Sequence, residues 1–195
     1  MKMELVFATN NSHKLKEITP LLKNSFKILS LRDKEIKDNI PETKDTIEGN
    51  ASEKAFYIYN KYNVNCFADD TALEIEALNG EPGVYSARYA GNRCSFDANI
   101  NLVLDNLEGK TNRKARFRTV ISLVIDGKET LFEGIINGAI STERYGRDGF
   151  GYDPIFMPNG YGMSFAEMTL DEKNKISHRG KAVAKLVDYI NKNFK

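Results

Sequence analysis

The feature that most constrains the fold of this chain is a pair of long alternating segments in its second half. Residues 116–125 alternate between polar and apolar side chains, and the alternation resumes over residues 130–140. Between them lies Asp126-Gly127, a dipeptide typical of two-residue β-turns because both of its positions tolerate a positive φ. The pattern predicts a long β-hairpin, so any sheet in this protein must be at least partly antiparallel.

Shorter strand and helix patterns precede and follow the hairpin. Apolar runs of strand length occupy residues 4–8, 26–31 and 65–68. Helical spacing follows at residues 15–22, 47–59 and 96–107 and in a final helix from Ser177. This mixture predicts an α/β fold in which helices flank a mixed, largely antiparallel and extended sheet.

Two local features refine these helix predictions. Pro20 falls inside the first helical pattern and is expected to kink or shorten it, because proline has no backbone N–H to donate. Thr169 is followed three residues later by Glu172, which predicts a capping box near the last helical segment.

Length and charge limit the class of protein. A chain of 195 residues without repeats or linkers is the size of one domain, and we expect residues 1–195 to form it. The 28 basic residues nearly balance the 27 acidic ones, which argues against a nucleic-acid coat despite the basic segment at residues 110–118. The apolar runs are too short to span a membrane, and residues 1–4 do not resemble a signal peptide, so we expect a cytoplasmic protein.

The cysteines support the same location. Cys66 and Cys94 are the only two, and neither belongs to a Cys-x-x-Cys pair. A disulfide framework and a thiolate zinc site are therefore not expected. The usual burial of cysteine favours two free thiols in a reducing compartment.

The first candidate site follows the first strand. Thr9, Asn10 and Asn11 precede the first helix, which also carries Lys14. Backbone N–H groups at a helix start bind anions, and Lys14 would add a point charge for phosphate oxygens. The pattern is not a P-loop. An ordinary strand–helix turn capped by Asn or Ser remains the alternative.

The second candidate site is Asp69-Asp70, which we expect to end the third strand, with Thr71 just beyond. Two adjacent carboxylates after an apolar run repel each other, and a hard divalent cation such as Mg²⁺ would offset that repulsion. Both acids could reach one ion only if the strand ends here, because successive strand residues point to opposite faces. The alternative is a solvated acidic turn. Glu42 alone is an ordinary surface acid.

Two further candidate sites lie in the last third of the chain. Gly149 and Gly151 surround Phe150, so this ring could be displayed for stacking on a nucleobase, and Tyr152 and Asp153 follow directly. Asp153 could accept a hydrogen bond from a base or orient a neighbour. The alternative is a glycine-rich turn with a core aromatic.

Lys173 and the sequence Ser177-His178-Arg179 form the other site. A Ser, a His and an Arg at a helix start can hydrogen-bond a planar heterocycle and an anionic tail together. A lone histidine is more often structural or solvated. No Gly-x-Ser-x-Gly motif supports acyl transfer.

In series, these motifs resemble the inosine triphosphatase family, the nucleoside triphosphate pyrophosphatases that clear non-standard purine nucleotides. The resemblance rests on motifs that occur in order over nearly the whole chain: residues 7–11 with Lys14, residues 68–71, residues 78–80 and 82–89, residues 149–154, and residues 177–179.

The resemblance implies two lobes around a central cleft, a homodimer, and Mg²⁺-dependent cleavage of the substrate between its α- and β-phosphates. The implied phosphate-binding residues are Thr9, Asn10, Asn11, Lys14 and Lys173, and Thr71 is a further expected substrate-binding residue. Asp70 would be the catalytic carboxylate, and Glu42, Asp69 and Asp70 would hold the metal. The purine would be bound by Phe150, Gly151, Tyr152, Asp153, His178 and Arg179.

The chain departs from the family pattern at two positions. Asn10 stands where the family usually has Gly, and Asn tolerates the left-handed backbone that such a turn can need. Gly49 stands where the family usually has Glu, which makes Glu42 the expected third acid. The alternatives are a pyrophosphatase for modified pyrimidine triphosphates and a nucleotide-binding module without catalysis.

Overall fold

The computed structural model describes residues 3–22, 26–91 and 95–194. Seven strands and five α-helices lie within these ranges. The strands are β1 (Glu4–Phe7), β2 (Lys27–Ser30), β3 (Cys66–Ile75), β4 (Pro82–Gly83), β5 (Lys114–Ile125), β6 (Lys128–Ile140) and β7 (Phe156–Pro158). The helices are α1 (Ser12–Leu22), α2 (Ile47–Tyr62), α3 (Phe96–Asn106), α4 (Leu170–Ile176) and α5 (His178–Asn193).

The strands form a mixed sheet, as the sequence predicts. They pair in the order β2-β1-β3-β5-β6-β7, and β4 pairs with β3. β1 runs parallel to β2 and β3, whereas β3–β4 and β6–β7 are antiparallel. The β5–β6 hairpin is confirmed, with Asp126 and Gly127 both at positive φ in its turn.

The chain divides into two compact units. Unit 1 comprises Met1–Asp70, Thr119–Gly134 and Arg179–Lys195, and unit 2 comprises Thr71–Arg118 and Ile135–His178. Within unit 1, buried side chains of β1, α1 and α5 form one apolar cluster and those of α2 contribute to a second. Within unit 2, side chains of α3, β5 and β6 pack with Phe156 and Phe165.

Most local predictions are confirmed, and one is wrong. The Thr169–Glu172 capping box is present, and α5 buries Val183, Leu186 and Ile190. Pro20 lies inside α1 and does not shorten it before Leu22. The expected end of the third strand is wrong, because β3 continues through Asp69 and Asp70 to Ile75.

Cys66 is a buried free thiol, as expected, and Cys94 lies outside the described residues. Burial raises the pKa of the Cys66 thiol to about 12, which keeps it protonated. Among the described helices, none is long and apolar enough to cross a membrane.

Candidate active site

Asp69 and Asp70 are the centre of a buried group of charges in unit 1. Because β3 does not end at these residues, consecutive side chains take different partners: Asp69 pairs with Lys14 and Arg179, and Asp70 with Lys54. Attraction to these three cations offsets the repulsion between the two carboxylates. The sequence alone predicts a metal ion for this role. The acidic pair is therefore neither at a strand end nor in a solvated turn.

Asp69 is held between two cations. The Lys14 ammonium nitrogen lies 3.0 Å from Asp69 Oδ1, and the Arg179 Nε donates to Oδ2 at 3.1 Å. Burial opposes ionisation of Asp69, but Lys14 and Arg179 outweigh it and lower the pKa of this carboxyl to about 2. Arg179 Nη1 also donates to Glu17, a buried acid of α1 that the sequence reasoning missed.

Asp70 has a different environment. Lys54 Nζ donates to Asp70 Oδ1 at 3.1 Å, and Asn50 Nδ2 donates to Oδ2 at 3.3 Å. The pKa of Asp70 is raised because burial outweighs the effect of the Lys54 charge. A carboxylate with a raised pKa is a better proton acceptor, so Asp70 suits the role of a general base.

Lys54 also connects Asp70 to Glu42. Its Nζ donates to Glu42 Oε1 at 2.5 Å, so two carboxylates converge on a single cation. Burial lowers the pKa of Lys54, but the two acids outweigh burial and the net shift is upward. The sequence reasoning missed Lys54 and Asn50, although both fall on the same face of α2 as the buried Ala51.

Glu42 lies in a loop that packs against the start of α2. Thr43 donates to Glu53 through its backbone N–H and its hydroxyl, both at 2.7 Å. The Lys44 N–H donates to Asn50 Oδ1 at 2.9 Å. A Cβ at Gly49 would lie 2.8 Å from Lys44 Cβ, which is too close for real side chains. Gly49 thus allows the close approach of the loop that carries Glu42.

The Thr9–Lys14 turn has the cap that was the alternative interpretation. Asn11 Oδ1 accepts from the backbone N–H groups of His13 and Lys14, and Thr9 Oγ1 accepts from the Asn11 N–H. Asn10 Nδ2 donates to the Asp38 carbonyl at 3.2 Å. A capped turn is compatible with anion binding at the same helix start, which remains a prediction.

An aromatic cluster surrounds Lys173 in unit 2. The Lys173 ammonium donates to Asp153 Oδ2 at 2.5 Å and lies 5.3 Å from the Phe150 ring centroid. Asp153 Oδ2 also accepts from the Phe150 N–H at 2.8 Å. Asp153 therefore orients its neighbours. A Cβ at Gly149 would lie 2.1 Å from Asp153 Oδ2, so this turn requires glycine.

The other aromatic residues of this cluster differ in exposure. Phe150 is half-buried, whereas Tyr152 is buried and its hydroxyl donates to the Ser86 carbonyl at 2.8 Å. Tyr152 is therefore the core aromatic of a glycine-rich turn, which was the alternative prediction for this motif. The buried His178 ring stacks on Phe117, with centroids 4.5 Å apart and an interplanar angle of 16°.

The remaining predicted residues lie close to these groups in the chain. Thr71 is half-buried on β3, and Gly151 has a φ of +62°. Ser177 follows the last residue of α4, and its backbone N–H donates a hydrogen bond to the Lys173 carbonyl.

The metal site stays a prediction, with which the donor set can be compared. Across residues 3–22, 26–91 and 95–194, no three acids, histidines or cysteines are grouped closely enough to hold a metal, so the trio Glu42, Asp69 and Asp70 is not assembled. Two hard carboxylates, Glu42 and Asp70, do converge on one point, where both pair with the Lys54 ammonium group. Mg²⁺ is commonly held by one or two carboxylates together with substrate phosphates, so this pair fits it.

A mixed α/β chain with a buried cluster of lysines and carboxylates is suited to a phosphorylated ligand. The Ham1 family model matches residues 5–189, and the chain belongs to this family. The motif resemblance is thereby confirmed.

Relatives cover nearly the whole chain. A protein of Flavobacterium johnsoniae is 54% identical over 188 residues, which are 96% of this chain and 98% of the relative. One of Porphyromonas gingivalis is 50% identical over 188 residues, 96% of this chain and 97% of that protein. Both are named dITP/XTP pyrophosphatase. The solved structure of a HAM1 protein from Coxiella burnetii is 36% identical with a TM-score of 0.90, covering 97% of this chain and 99% of that one.

Proposed function

We propose that this protein hydrolyses non-standard purine nucleoside triphosphates, namely ITP, dITP, XTP and dXTP, to the nucleoside monophosphate and pyrophosphate. The observation that carries the proposal is the convergence of Glu42 and the buried Asp70 on the buried Lys54, in a chain whose relatives are named dITP/XTP pyrophosphatase. Such a reaction would clear these nucleotides from the cellular pool. We further propose that the enzyme is a homodimer, as the family resemblance implies, and that it is cytoplasmic, as the sequence features predict.

In this proposal Asp70 is the general base. Its carboxylate accepts a proton from the water that attacks phosphorus, and its raised pKa favours this transfer. Glu42 and Asp70 would hold Mg²⁺, which would neutralise phosphate charge and lower the pKa of a coordinated water. Lys14 and Lys54 bind the negatively charged phosphates, and Asp69 orients Lys14 for this role.

The aromatic cluster of unit 2 is proposed to bind the base. Phe150 stacks on the purine, which is worth about 1–3 kcal/mol and does not depend on base identity. Lys173 binds the nucleotide beside Phe150, held in place by Asp153. His178 donates to the oxygen at purine position 6, where adenine carries an amino group instead. An unpaired buried donor costs about 1–3 kcal/mol, so adenine would be disfavoured.

Pyrophosphate release tests the proposal. Purified protein is assayed with dITP, XTP, dATP, dGTP and a modified UTP, each with and without Mg²⁺, and Asp70→Asn serves as the inactive control. We expect turnover of dITP and XTP that requires Mg²⁺. Preference for the modified UTP would favour the pyrimidine alternative, and binding without turnover would favour the non-catalytic module. Sedimentation tests the dimer.

A further inference from the structure

The first turn of α3 is fastened to the loop that leads into the Phe150 turn. Arg144 Nη1 donates to Asp97 Oδ1 at 2.5 Å. Its Nη2 donates to the Asp97 carbonyl at 3.1 Å and to Asn101 Oδ1 at 2.7 Å. One guanidinium thus holds two successive turns of the helix, and the planar, branched donor set of arginine suits this arrangement.

A ring contact adds a second link between the same two segments. Phe96, the first residue of α3, packs against Phe150 with ring centroids 6.0 Å apart and an interplanar angle of 50°. This tilted geometry is one that aromatic pairs favour. Phe96 remains 38% exposed, so only part of its ring is covered.

The loop is also fixed on its other side. The N–H groups of Arg147 and Asp148 both donate to the Ala166 carbonyl, at 3.2 and 3.1 Å. Gly146 approaches the same residue so closely that a Cβ would lie 2.3 Å from the Ala166 carbonyl carbon. Residues 144–150 are therefore held between α3 and Ala166, and the Phe150 ring lies at the end of the held segment.

We propose that Arg144 and Phe96 are positioning residues for base binding, which hold Phe150 in the orientation that stacks on the purine. The inference deepens the proposed function and depends on it for the identity of the ligand. Neither residue needs to touch the substrate. Both act through Phe150, so removing either should weaken the binding of every purine nucleotide and leave the chemical step unchanged.

A double-mutant cycle tests this mechanism. Arg144→Ala is expected to raise KM for dITP about fivefold with kcat within about twofold, because only binding is lost. In a Phe150→Ala background, Arg144→Ala should have no further effect on KM. Phe96→Leu should behave like Arg144→Ala, and Phe96→Tyr should retain wild-type KM. Arg147→Ala is the matched control, since it removes an exposed arginine of the same loop whose described bonds are made by its backbone.

Three outcomes would overturn the proposal: equal KM increases in both backgrounds, an increase with Arg147→Ala as large as with Arg144→Ala, or unchanged KM in Arg144→Ala and Phe96→Leu. Hydrogen exchange of residues 146–151 separates this proposal from the proposed function. Faster exchange in Arg144→Ala than in Arg147→Ala supports the positioning role even if dITP is not a substrate. Identical exchange in the two variants contradicts it.

Discussion

The charged residues of unit 1 and the Phe150 ring of unit 2 are held by different means. In unit 1, Asp69, Asp70, Lys14, Lys54 and Arg179 belong to regular strands and helices, and ion pairs hold them. In unit 2, Phe150 lies on a turn whose shape depends on glycine. Charged groups for proton transfer need fixed geometry and shielding from water, whereas a stacking ring must be exposed to its ligand and held in one orientation. The comparison predicts that changes at Asp70 and the buried ion pairs of Asp69 affect kcat and stability, and that changes at Phe150 affect KM.

The largest effect is expected from Asp70→Asn. The substitution keeps the size of the side chain and removes the proposed base, so kcat should fall by about 10³-fold or more. Pyrophosphate release measures the loss. A variant that keeps more than about a tenth of wild-type turnover would show that Asp70 is not the base, since that loss is under roughly 1.4 kcal/mol. Thermal unfolding is the control for folding.

Arg179 and His178 are consecutive in sequence yet belong to different units, which makes them a natural pair for a second test. Arg179→Met leaves the buried Glu17 and Asp69 without a shared cation and should cost about 3 kcal/mol of unfolding free energy at pH 7. If Arg179 instead contacts the purine, as the family resemblance implies, the variant should narrow the ratio of dITP to dATP kcat/KM. His178→Ala is expected to narrow that ratio.

The stability loss in Arg179→Met should depend on pH in a defined direction. In the native protein the pKa of Asp69 is about 2, below its ordinary value of 3.8, so its ionised form contributes stability above the ordinary value. That contribution is lost as pH falls toward 2. Removing Arg179 raises the pKa of Asp69 and reduces the contribution, so the two proteins should differ most at neutral pH. Urea unfolding at pH 7 and pH 3 measures the difference.

Phe150→Ala is the corresponding test in unit 2. Loss of the stacking ring should raise KM for all purine triphosphates together by about tenfold or more, with little change in kcat. Steady-state kinetics with dITP, XTP and dATP measure this. Tyr161→Ala removes an exposed aromatic ring elsewhere in the same unit and should leave KM unchanged. A KM increase confined to one base would mean that Phe150 discriminates between bases.

Sequence patterns predicted the elements because apolar periodicity is a local property. The β5–β6 hairpin, the capping box at Thr169 and the buried face of α5 depend on residues within a few positions of each other. The prediction that β3 ends at Asp70 was wrong for the opposite reason, because it depended on residues far away in the sequence. Adjacent carboxylates look like a strand end unless the partners of Asp69 and Asp70 are known, and those partners lie at residues 14, 54 and 179.

The family motifs named more residues of the candidate site than the reasoning from burial, charge and spacing did. Asp70, Lys14 and Lys173 were singled out, but Glu17, Asn50 and Lys54 were not, since charged or amide residues in helices are usually on solvated faces. Their spacing gave a clue. Asn50 and Lys54 share the face of α2 that carries Ala51, Ala55 and Ile58, all buried, so polar residues on that face require buried partners.

Gly49 offers the smallest and most local test of how unit 1 is held together. Gly49→Ala places a Cβ 2.8 Å from Lys44 Cβ and 3.0 Å from Thr46 Oγ1, so the loop must move. Alanine favours a helix by about 1 kcal/mol over glycine, which offsets part of the steric cost. Stability should therefore change little, while the displaced loop moves Glu42 away from Lys54 and raises the Mg²⁺ concentration needed for half-maximal activity by a few fold.

Glu42→Gln sets the upper limit of the shift in Mg²⁺ requirement, because it removes one of the two converging carboxylates. Glu48→Gln is the control, since Glu48 is an acid next to Gly49 in the first turn of α2. A larger Mg²⁺ shift in Glu48→Gln than in Glu42→Gln would move the metal role to Glu48. An unchanged Mg²⁺ requirement in Gly49→Ala, with Glu42→Gln clearly shifted, would show that the loop tolerates the extra methyl group without moving its acid. The close packing of Lys44 on Gly49 would then be a matter of stability alone, and the position of Glu42 would depend on the Thr43–Glu53 hydrogen bonds.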